Sequence, residues 1–149
     1  MTIVIAGGSG YIGTILTKKL LSLGHRVIII DIYAPRVIDS ELFFIKCDIS
    51  STSLPYDVLE QTDAVINLVG KSIATKWNDF TMKEIRSSRI ESTKNIVETI
   101  KKTKNKPSCF ICASAIGYYG DTKEYNSDEY CPRGNGFLAE VVESWENTA

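Results

Sequence analysis

The sequence predicts an α/β protein built on a doubly wound parallel sheet, and three observations support this fold class. Short apolar runs rich in β-branched residues alternate with amphipathic segments, a pattern typical of strands that alternate with helices. A glycine-rich turn joins the first apolar run to the first amphipathic segment, and Asp31 closes the second run. The 149 residues are long enough for one domain with a sizeable core.

Five apolar runs are predicted to form the strands. They are residues 3–5, 27–30, 42–45, 64–69 and 109–113. Each run is short and nearly free of polar residues, as expected for strands that are buried on both faces of a parallel sheet. Because parallel strands need crossover connections, the segments between the runs are expected to carry helices.

Three helices are predicted from the spacing of apolar residues. The first covers residues 11–23 and ends before Gly24. Its expected apolar stripe consists of Ile12, Ile15, Leu16, Leu20 and Leu23. The second runs from Thr81 to about Lys102, with a capping box of Thr81 and Glu84, and the third covers about 137–145. No further strand follows before Ala149, so we expect a truncated version of the fold.

Composition and charge argue against several classes of protein. The 17 basic and 18 acidic side chains nearly cancel, which disfavours binding to nucleic acid or to an anionic membrane surface. No apolar run reaches the roughly 20 residues that cross a bilayer. The N-terminus has no basic leader, so the four cysteines are expected to be free thiols in the cytoplasm. Cys109 and Cys112 fall on opposite faces of a predicted strand, so we expect two buried thiols and no metal site.

The turn after the first strand fits the pattern G-x-G-x-x-G between a strand and a helix. Glycine allows a tight turn and lets the backbone approach a pyrophosphate, while the N-terminus of the following helix offers unpaired N–H groups. The turn is therefore predicted to bind a dinucleotide. Its predicted contacts are Gly7, Ser9, Gly10, Tyr11, Ile12 and Gly13.

Further candidate contacts follow the next strands at the same edge of the predicted sheet. The carboxylate of Asp31 can accept hydrogen bonds from the adenosine ribose hydroxyls and would repel a 2′-phosphate. This favours NAD over NADP, although Arg36 nearby leaves NADP as an alternative. The other predicted cofactor contacts are Asp48 and Ile49 after the third strand and Leu68, Val69 and Gly70 after the fourth.

These residues carry a resemblance to a known family. The glycine turn, the segment 67–70, and Ser114 with 118–120 resemble the extended short-chain dehydrogenase/reductases, in particular their atypical branch of sugar-nucleotide epimerase-like proteins. The likeness covers essentially the whole chain, including the segments 71–77, 85–93, 113–121 and 137–140. It implies that residues 1–149 form a Rossmann-type NAD(P)-binding domain and that the C-terminal substrate-binding part is absent.

The resemblance also implies a cofactor contact at Arg89 on the long helix. The spacing of Ile85, Arg89 and Ile96 places the guanidinium on the otherwise apolar face of this helix, where it needs an anionic partner. Two partners remain open at this point: a phosphate of the cofactor, or a carboxylate in an internal ion pair.

The catalytic residues match the family only in part. Family members carry a Ser or Thr after the fifth strand and a Tyr-x-x-x-Lys on the next helix, where the ammonium assists proton transfer by the Tyr. Ser114 fits the first position and is the candidate catalytic residue, expected to polarise a substrate oxygen. Phe137 and Val141 occupy the other two positions and cannot transfer protons. Tyr119 and Lys123 also spell Y-x-x-x-K, but in a predicted loop, and we interpret that match as a coincidence.

The resemblance implies the NAD(P)-binding domain of a nucleoside-diphosphate-sugar epimerase/dehydratase-like oxidoreductase. Its substrate would be a nucleotide sugar or another carbonyl compound. A non-catalytic dinucleotide-binding or redox-sensing module is the alternative that the missing Tyr and Lys favour. A third alternative is an interaction protein, whose surface helices pair two chains as a homodimer.

Overall fold

A computed structural model describes all residues, 1–149, as a five-stranded parallel sheet flanked by helices. The strands are β1 (Thr2–Ala6), β2 (Arg26–Asp31), β3 (Leu42–Lys46), β4 (Ala64–Asn67) and β5 (Cys109–Cys112). The helices are α1 (Tyr11–Ser22), α2 (Tyr56–Leu59), α3 (Asp79–Lys102) and α4 (Phe137–Glu146), with a 3₁₀ turn at Ile116–Tyr119. The five strands and three long helices that the sequence predicts are confirmed. The single turns of α2 and of the 3₁₀ segment are too short for a periodicity to predict them.

The strand order is β3-β2-β1-β4-β5, and all neighbouring strands are parallel. The chain therefore builds the sheet outward from β1 to β3, and then continues on the other side of β1 with β4. Where the direction of winding reverses, the loops that follow β1 and β4 diverge and leave a crevice at the carboxyl edge of the sheet. This is the doubly wound arrangement that the sequence predicts.

Alternate side chains of the central strands form two apolar layers, one on each face of the sheet. On one face, Val4, Ile30 and Val65 pack with Leu59 of α2 and Ile96 of α3, and all five are completely buried. On the other face, the intervening residues of β1, β2 and β4 pack against α1. A slip of one residue would exchange the two layers.

The apolar stripe predicted for α1 is only partly buried. Ile12, Ile15 and Leu23 are each more than half exposed, whereas the two other members pack against the sheet. The predicted stripe is therefore not the buried line of the helix, because the small residues Gly13 and Thr17 are the ones buried there. The apolar side chains on either side of that line are left partly in solvent.

The long helix α3 begins at Asp79 rather than at Thr81. Its N-cap is Asn78, whose side-chain oxygen accepts a hydrogen bond from the Thr81 backbone N–H at 2.9 Å. The Thr81 hydroxyl in turn accepts one from the Asn78 N–H at 2.9 Å. The capping box predicted for Thr81 and Glu84 is therefore wrong, because Asn78 already supplies the side-chain acceptor one turn earlier. None of the four helices is both long and apolar enough to cross a membrane.

The four cysteines are free thiols, and β5 separates two of them. Cys109 is exposed on one face of β5, while Cys112 is half-buried on the other face, against Asn67 and Thr93. The prediction of opposite faces is confirmed. The prediction that both thiols are buried is wrong for Cys109, because β5 is an edge strand and its face beside Ile111 is half exposed.

Candidate functional site

The loops at the carboxyl edge of the sheet enclose a cavity of about 500 Å³, which we call the cleft. Its walls come from the segments that follow β1, β2, β3 and β4, together with the first turns of α3. The predicted site residues that line it are Gly7, Ser9, Gly10, Asp31, Asp48, Ile49, Leu68, Val69 and Gly70. The fold thus brings together candidates from four separate segments of the chain.

The glycine turn is the part of the cleft lining that follows β1, and its glycines differ in their surroundings. Gly7 has a φ of +76°, and a Cβ there would lie 2.9 Å from the backbone of Leu68. A Cβ on Gly13 would lie 2.5 Å from the carbonyl oxygen of Gly8. Gly10 has an ordinary backbone conformation (φ −71°, ψ 178°), and a Cβ there would meet only the Gly7 oxygen, at 3.4 Å. The fold therefore requires Gly7 and Gly13, whereas at Gly10 it leaves open space.

The first three residues of α1 do not line the cleft themselves, but they follow Gly10, which does. The Tyr11 and Ile12 side chains are 84% and 65% exposed, and neither lines the cleft. The N–H groups of Tyr11, Ile12 and Gly13 have no acceptor within the protein, since the first helical bond runs from the Thr14 N–H to the Gly10 oxygen. The N-terminus of α1 therefore offers three unpaired donors and the positive end of the helix dipole.

Asp31 ends β2 beside the glycine turn. One of its carboxylate oxygens accepts a hydrogen bond from the Ser9 backbone N–H at 3.0 Å, and the other accepts one from the Tyr33 N–H at 3.1 Å. The Ser9 hydroxyl donates to the Tyr33 carbonyl oxygen at 2.6 Å. The carboxylate therefore ties the glycine turn to the segment after β2. No feature of the sequence indicates these contacts.

Asp48 and Ile49 line the cleft after β3. The Asp48 carboxylate accepts hydrogen bonds from the Ser50 hydroxyl at 2.6 Å and from the Ser50 N–H at 3.0 Å. These bonds, chiefly the one from the hydroxyl, lower the pKa of Asp48, so the group is charged at neutral pH. The Ile49 carbonyl accepts a hydrogen bond from the Asn95 side chain of α3 at 2.7 Å, which fixes this wall to the helix behind it.

Asn67, at the end of β4, holds the turn that carries the next candidates. Its fully buried side chain accepts a hydrogen bond from the Val69 N–H at 3.1 Å and donates one to the Thr93 hydroxyl at 2.9 Å. The same hydroxyl accepts the indole N–H of Trp145 at 2.9 Å, and its oxygen lies 3.7 Å from the Cys112 sulfur. This buried network joins β4, β5, α3 and α4. Sequence reasoning missed it because each member alone reads as an ordinary core or helix residue.

Arg89 lies behind the cleft lining rather than in it. A Cβ on Gly70 would be 3.0 Å from the Arg89 guanidinium. The guanidinium donates to the carbonyl oxygens of Lys71 and Ile85, at 3.0 Å each, and lies 5.5 Å from the centroid of the Trp145 ring. Its partners are carbonyls and an aromatic face, so the internal ion pair left open above is not formed. Burial lowers the pKa of Arg89 from its usual high value.

Ser114 lies outside the cleft, in a second cavity of about 480 Å³ that we call the Ser114 pocket. The pocket is lined by Ser114, Ala115, Ile116, Tyr118, Tyr119, Glu129 and Glu146. The Ser114 hydroxyl donates a hydrogen bond to the carboxylate of Glu146 at the end of α4. Sequence reasoning missed Glu146, because a carboxylate at the end of an amphipathic helix is usually a solvated surface group.

The two positions expected for a Tyr and a Lys are apolar and packed. The Phe137 ring packs edge-to-face against Trp77, with centroids 5.6 Å apart. Val141 is 1% exposed and lies in the buried face of α4. Neither side chain lines the Ser114 pocket, so the pocket receives no proton-transferring group from these two positions.

No hydrogen bond joins the Tyr119 and Lys123 side chains. Lys123 lies in a loop with a φ of +56°, and its ammonium contacts Asp121 at 2.8 Å. Partial desolvation and the nearby Glu129 carboxylate raise the pKa of Tyr119. An ammonium partner would lower that pKa instead. The interpretation of this Y-x-x-x-K match as a coincidence stays a prediction.

Comparisons with known proteins identify similar sequences. The sequence model described as the NAD dependent epimerase/dehydratase family matches residues 3–136. The epimerase family protein YfhF of Bacillus subtilis is 34% identical over 98% of this chain and 48% of its own length. The chloroplastic SDR39U1 homolog of Arabidopsis thaliana is 32% identical over 100% of this chain and 44% of its own length. The chain thus spans about half the length of the curated relatives it matches.

Solved structures show the same fold. The human epimerase family protein SDR39U1 with NADPH superposes with a TM-score of 0.78 at 28% identity, over 99% of this chain and 48% of that protein. The UDP-glucuronic acid 4-epimerase of Bacillus cereus in complex with NAD gives a TM-score of 0.80 at 24% identity, over 99% of this chain and 51% of that enzyme. The second similarity is one of fold alone.

Proposed function

The chain belongs to the NAD dependent epimerase/dehydratase family, and we propose that its cleft binds an NAD(P) dinucleotide. The observation that carries this proposal is the open space at Gly10 beside three unpaired N–H groups of α1. A pyrophosphate needs close backbone approach and several N–H donors, and a helix N-terminus supplies both the donors and a favourable dipole. The residues present therefore fit the group that the family implies.

Each wall of the cleft has a proposed role. The glycine turn and the backbone of Tyr11, Ile12 and Gly13 hold the pyrophosphate, and Asp31 accepts hydrogen bonds from the adenosine ribose. The remaining contacts are Asp48 and Ile49 for the adenosine half and Leu68, Val69 and Gly70 for the nicotinamide half. The positive charge of Arg89, which lies behind Gly70, would favour binding of the anionic dinucleotide, because no carboxylate forms an ion pair with it.

The wider function that we propose is part of a nucleoside-diphosphate-sugar epimerase/dehydratase-like oxidoreductase. Bound nicotinamide would supply reversible hydride transfer to and from a substrate carbon. Ser114 would donate a hydrogen bond to a carbonyl or hydroxyl oxygen of a nucleotide sugar or another carbonyl compound. Family membership supports this proposal, as does the position of Ser114 in the lining of a pocket, where its hydroxyl donates to Glu146.

A second candidate function is a dinucleotide-binding or redox-sensing module without turnover. One specific observation favours it: the side chains of Phe137 and Val141 are apolar and packed where the family carries its Tyr and Lys. Such a module would bind the dinucleotide in the cleft and would need no group for proton transfer.

The cleft proposal is tested by titrating the chain with NADH, following ligand fluorescence, in wild type and Gly10→Val. The substitution puts a branched side chain into open space while the backbone conformation of Gly10 suits any residue. We expect at least tenfold weaker binding with a thermal midpoint close to that of wild type. Ser22→Val, at the exposed opposite end of α1, is the matched control and should bind as wild type does. Equal affinity of the wild type and a folded Gly10→Val would overturn the proposal.

A further inference from the structure

We propose that Ser9 is a positioning residue that sets the choice between NAD(H) and NADP(H), by holding the Asp31 carboxylate in one orientation. The inference rests on the proposed function of the cleft and goes beyond it. It concerns a side-chain hydroxyl that no sequence motif singles out, since only the backbone of this position belongs to the glycine turn. The relatives leave the choice open, because one solved structure contains NADPH and another NAD.

Three hydrogen bonds join Ser9, Asp31 and Tyr33 in a closed ring. The Ser9 N–H donates to Asp31 Oδ2 at 3.0 Å, and the Tyr33 N–H donates to Asp31 Oδ1 at 3.1 Å. The Ser9 hydroxyl closes the ring by donating to the Tyr33 carbonyl oxygen at 2.6 Å. Rotating the carboxylate breaks two N–H bonds, and moving the segment after β2 breaks the bond from the hydroxyl. The orientation of the carboxylate is therefore fixed through both of its oxygens.

A carboxylate in a fixed orientation is expected to bind NAD(H) more tightly than NADP(H). All three residues of the ring line the cleft. An ionised carboxylate has about four lone-pair sites, so with two of them occupied it can still accept hydrogen bonds from ribose hydroxyls. A 2′-phosphate brings negative charge to the same place. A mobile carboxylate could turn away from that charge, whereas one held by the ring cannot.

No free cation of the cleft lining compensates for such a phosphate. Lys71 is the one basic residue in the lining, and its ammonium contacts the Glu84 carboxylate at 3.3 Å. It also belongs to the wall after β4, whereas Asp31 belongs to the wall after β2. Arg36, which the sequence offers as a partner for a 2′-phosphate, does not line the cleft. Discrimination therefore depends on how firmly Asp31 is held.

The hydroxyl can be removed without touching the other two bonds of the ring. Both remaining donors are backbone N–H groups, which any residue but proline supplies at these positions. Ser9→Ala consequently removes one of the two bonds that hold Tyr33, so the Tyr33 N–H is expected to fix the Asp31 carboxylate less firmly, while the glycine turn stays intact. Ser9→Thr keeps a hydroxyl on the same Cβ and is the conservative variant expected to preserve the ring.

The experiment measures dissociation constants for NADH and NADPH by fluorescence titration with the full chain. We expect the wild type to bind NADH at least tenfold more tightly than NADPH, and Ser9→Ala to reduce this ratio at least threefold. Ser9→Thr should retain at least half of the wild-type ratio. The control Ser22→Ala removes a hydroxyl-to-carbonyl bond of 2.7 Å at the other end of α1 and should leave the ratio unchanged.

The outcomes separate the inference from the proposal on which it rests. Binding of NADH with an unchanged ratio in Ser9→Ala overturns the inference and leaves the cleft proposal standing. Equal weakening of both ligands in Ser9→Ala shows a merely structural role and also overturns it, as does a wild type without preference. Binding of neither dinucleotide by the folded wild type overturns the cleft proposal and the inference with it.

Discussion

At the scale of single residues, Gly10 and Gly13 lie close together in the glycine turn, but replacing each by Ala is expected to affect stability differently. A Cβ on Gly13 would lie 2.5 Å from the backbone of Gly8, and this clash can be relieved only if the backbone of the turn moves. We expect Gly13→Ala to lower the free energy of unfolding by about 1–3 kcal/mol, the range for overpacked sites. Gly10→Ala should stay within about 0.5 kcal/mol of wild type. Urea unfolding of both variants checks this, and similar losses would contradict it.

Thr17 is buried in α1 with a hydroxyl that finds no hydrogen-bond partner. Burying a hydroxyl without a hydrogen-bond partner costs desolvation free energy that no new hydrogen bond offsets. Thr17→Val removes the hydroxyl and keeps the branched shape, so we expect it to raise the free energy of unfolding by about 1 kcal/mol. Thermal and urea unfolding measure the change. A clear loss of stability would show that the hydroxyl has a partner in solution.

The two cysteines of β5 differ in exposure. Cys109 is exposed, whereas burial raises the pKa of the Cys112 thiol. The fraction of Cys112 present as the reactive thiolate is therefore lowered at a given pH. We expect a maleimide at pH 7 to 8 to label Cys109 at least tenfold faster than Cys112 in the native chain. Raising the pH should speed both, and unfolding in urea should remove most of the difference. Peptide mass spectrometry resolves the sites, and equal native rates would contradict the packing of Cys112.

At the scale of secondary-structure elements, the Thr93 hydroxyl is the junction of the network around the end of β4. Thr93→Val leaves the Asn67 amide and the Trp145 indole without their shared acceptor, so we expect a loss of about 2–3 kcal/mol. The control is Thr99→Val on the same helix, also buried, whose hydroxyl bonds only to the Asn95 carbonyl of its own helix. It should cost clearly less. If urea unfolding gave equal losses of stability for Thr93→Val and Thr99→Val, the role of Thr93 as a junction would be contradicted.

The sequence predicts those parts of the fold and site that depend on local pattern. The strands, the glycine turn and the position of Asp31 follow from apolar runs and from the residues at their ends. The ring through Ser9 and Tyr33 and the network around Thr93 could not be predicted, because each joins segments that only the folded sheet brings together. The contact of Glu146 was missed for the same reason, since its partner Ser114 lies far away in sequence, in the loop after β5.

The same limit explains the errors within elements. Apolar spacing marks the candidate faces of α1, but it does not reveal that Gly13 and Thr17 are the residues buried there. Competition between two capping side chains at the start of α3 is likewise decided by geometry, and Asn78 prevails over Thr81 as the N-cap.

At the scale of the whole molecule, the chain combines the cleft with apolar residues at 137 and 141, the two positions where the family resemblance leads us to expect a Tyr and a Lys. We expect no epimerase, dehydratase or reductase turnover by the 149-residue chain with NAD or NADH and a panel of nucleotide sugars. A positioned acid or base usually contributes about 10²–10⁴-fold, and Phe137 and Val141 cannot act as one. End-point assays on wild type and Tyr119→Phe test this. Robust turnover that is lost in Tyr119→Phe would make Tyr119 a catalytic residue.

Pairing of two chains through the surface helices stays a prediction. The chain spans about half the length of the curated relatives it matches, and on β5 it leaves Ile111 half exposed at one edge of the sheet. An uncovered apolar face at a sheet edge is a common place for association. The oligomeric state in solution therefore bears on how activity assays of this chain are interpreted.

The position of Arg89 gives the molecule an internal optical probe. A Cβ on Gly70, which lines the cleft, would lie 3.0 Å from the Arg89 guanidinium, and the guanidinium lies 5.5 Å from the centroid of the buried Trp145 ring. The emission of an indole depends on nearby charge, so a change at the turn after β4 passes to this fluorophore through one side chain. Because the chain has two tryptophans, Trp77→Phe leaves Trp145 as the single emitter. We expect a ligand bound in the cleft to change the emission of Trp145, which would report binding without an added label.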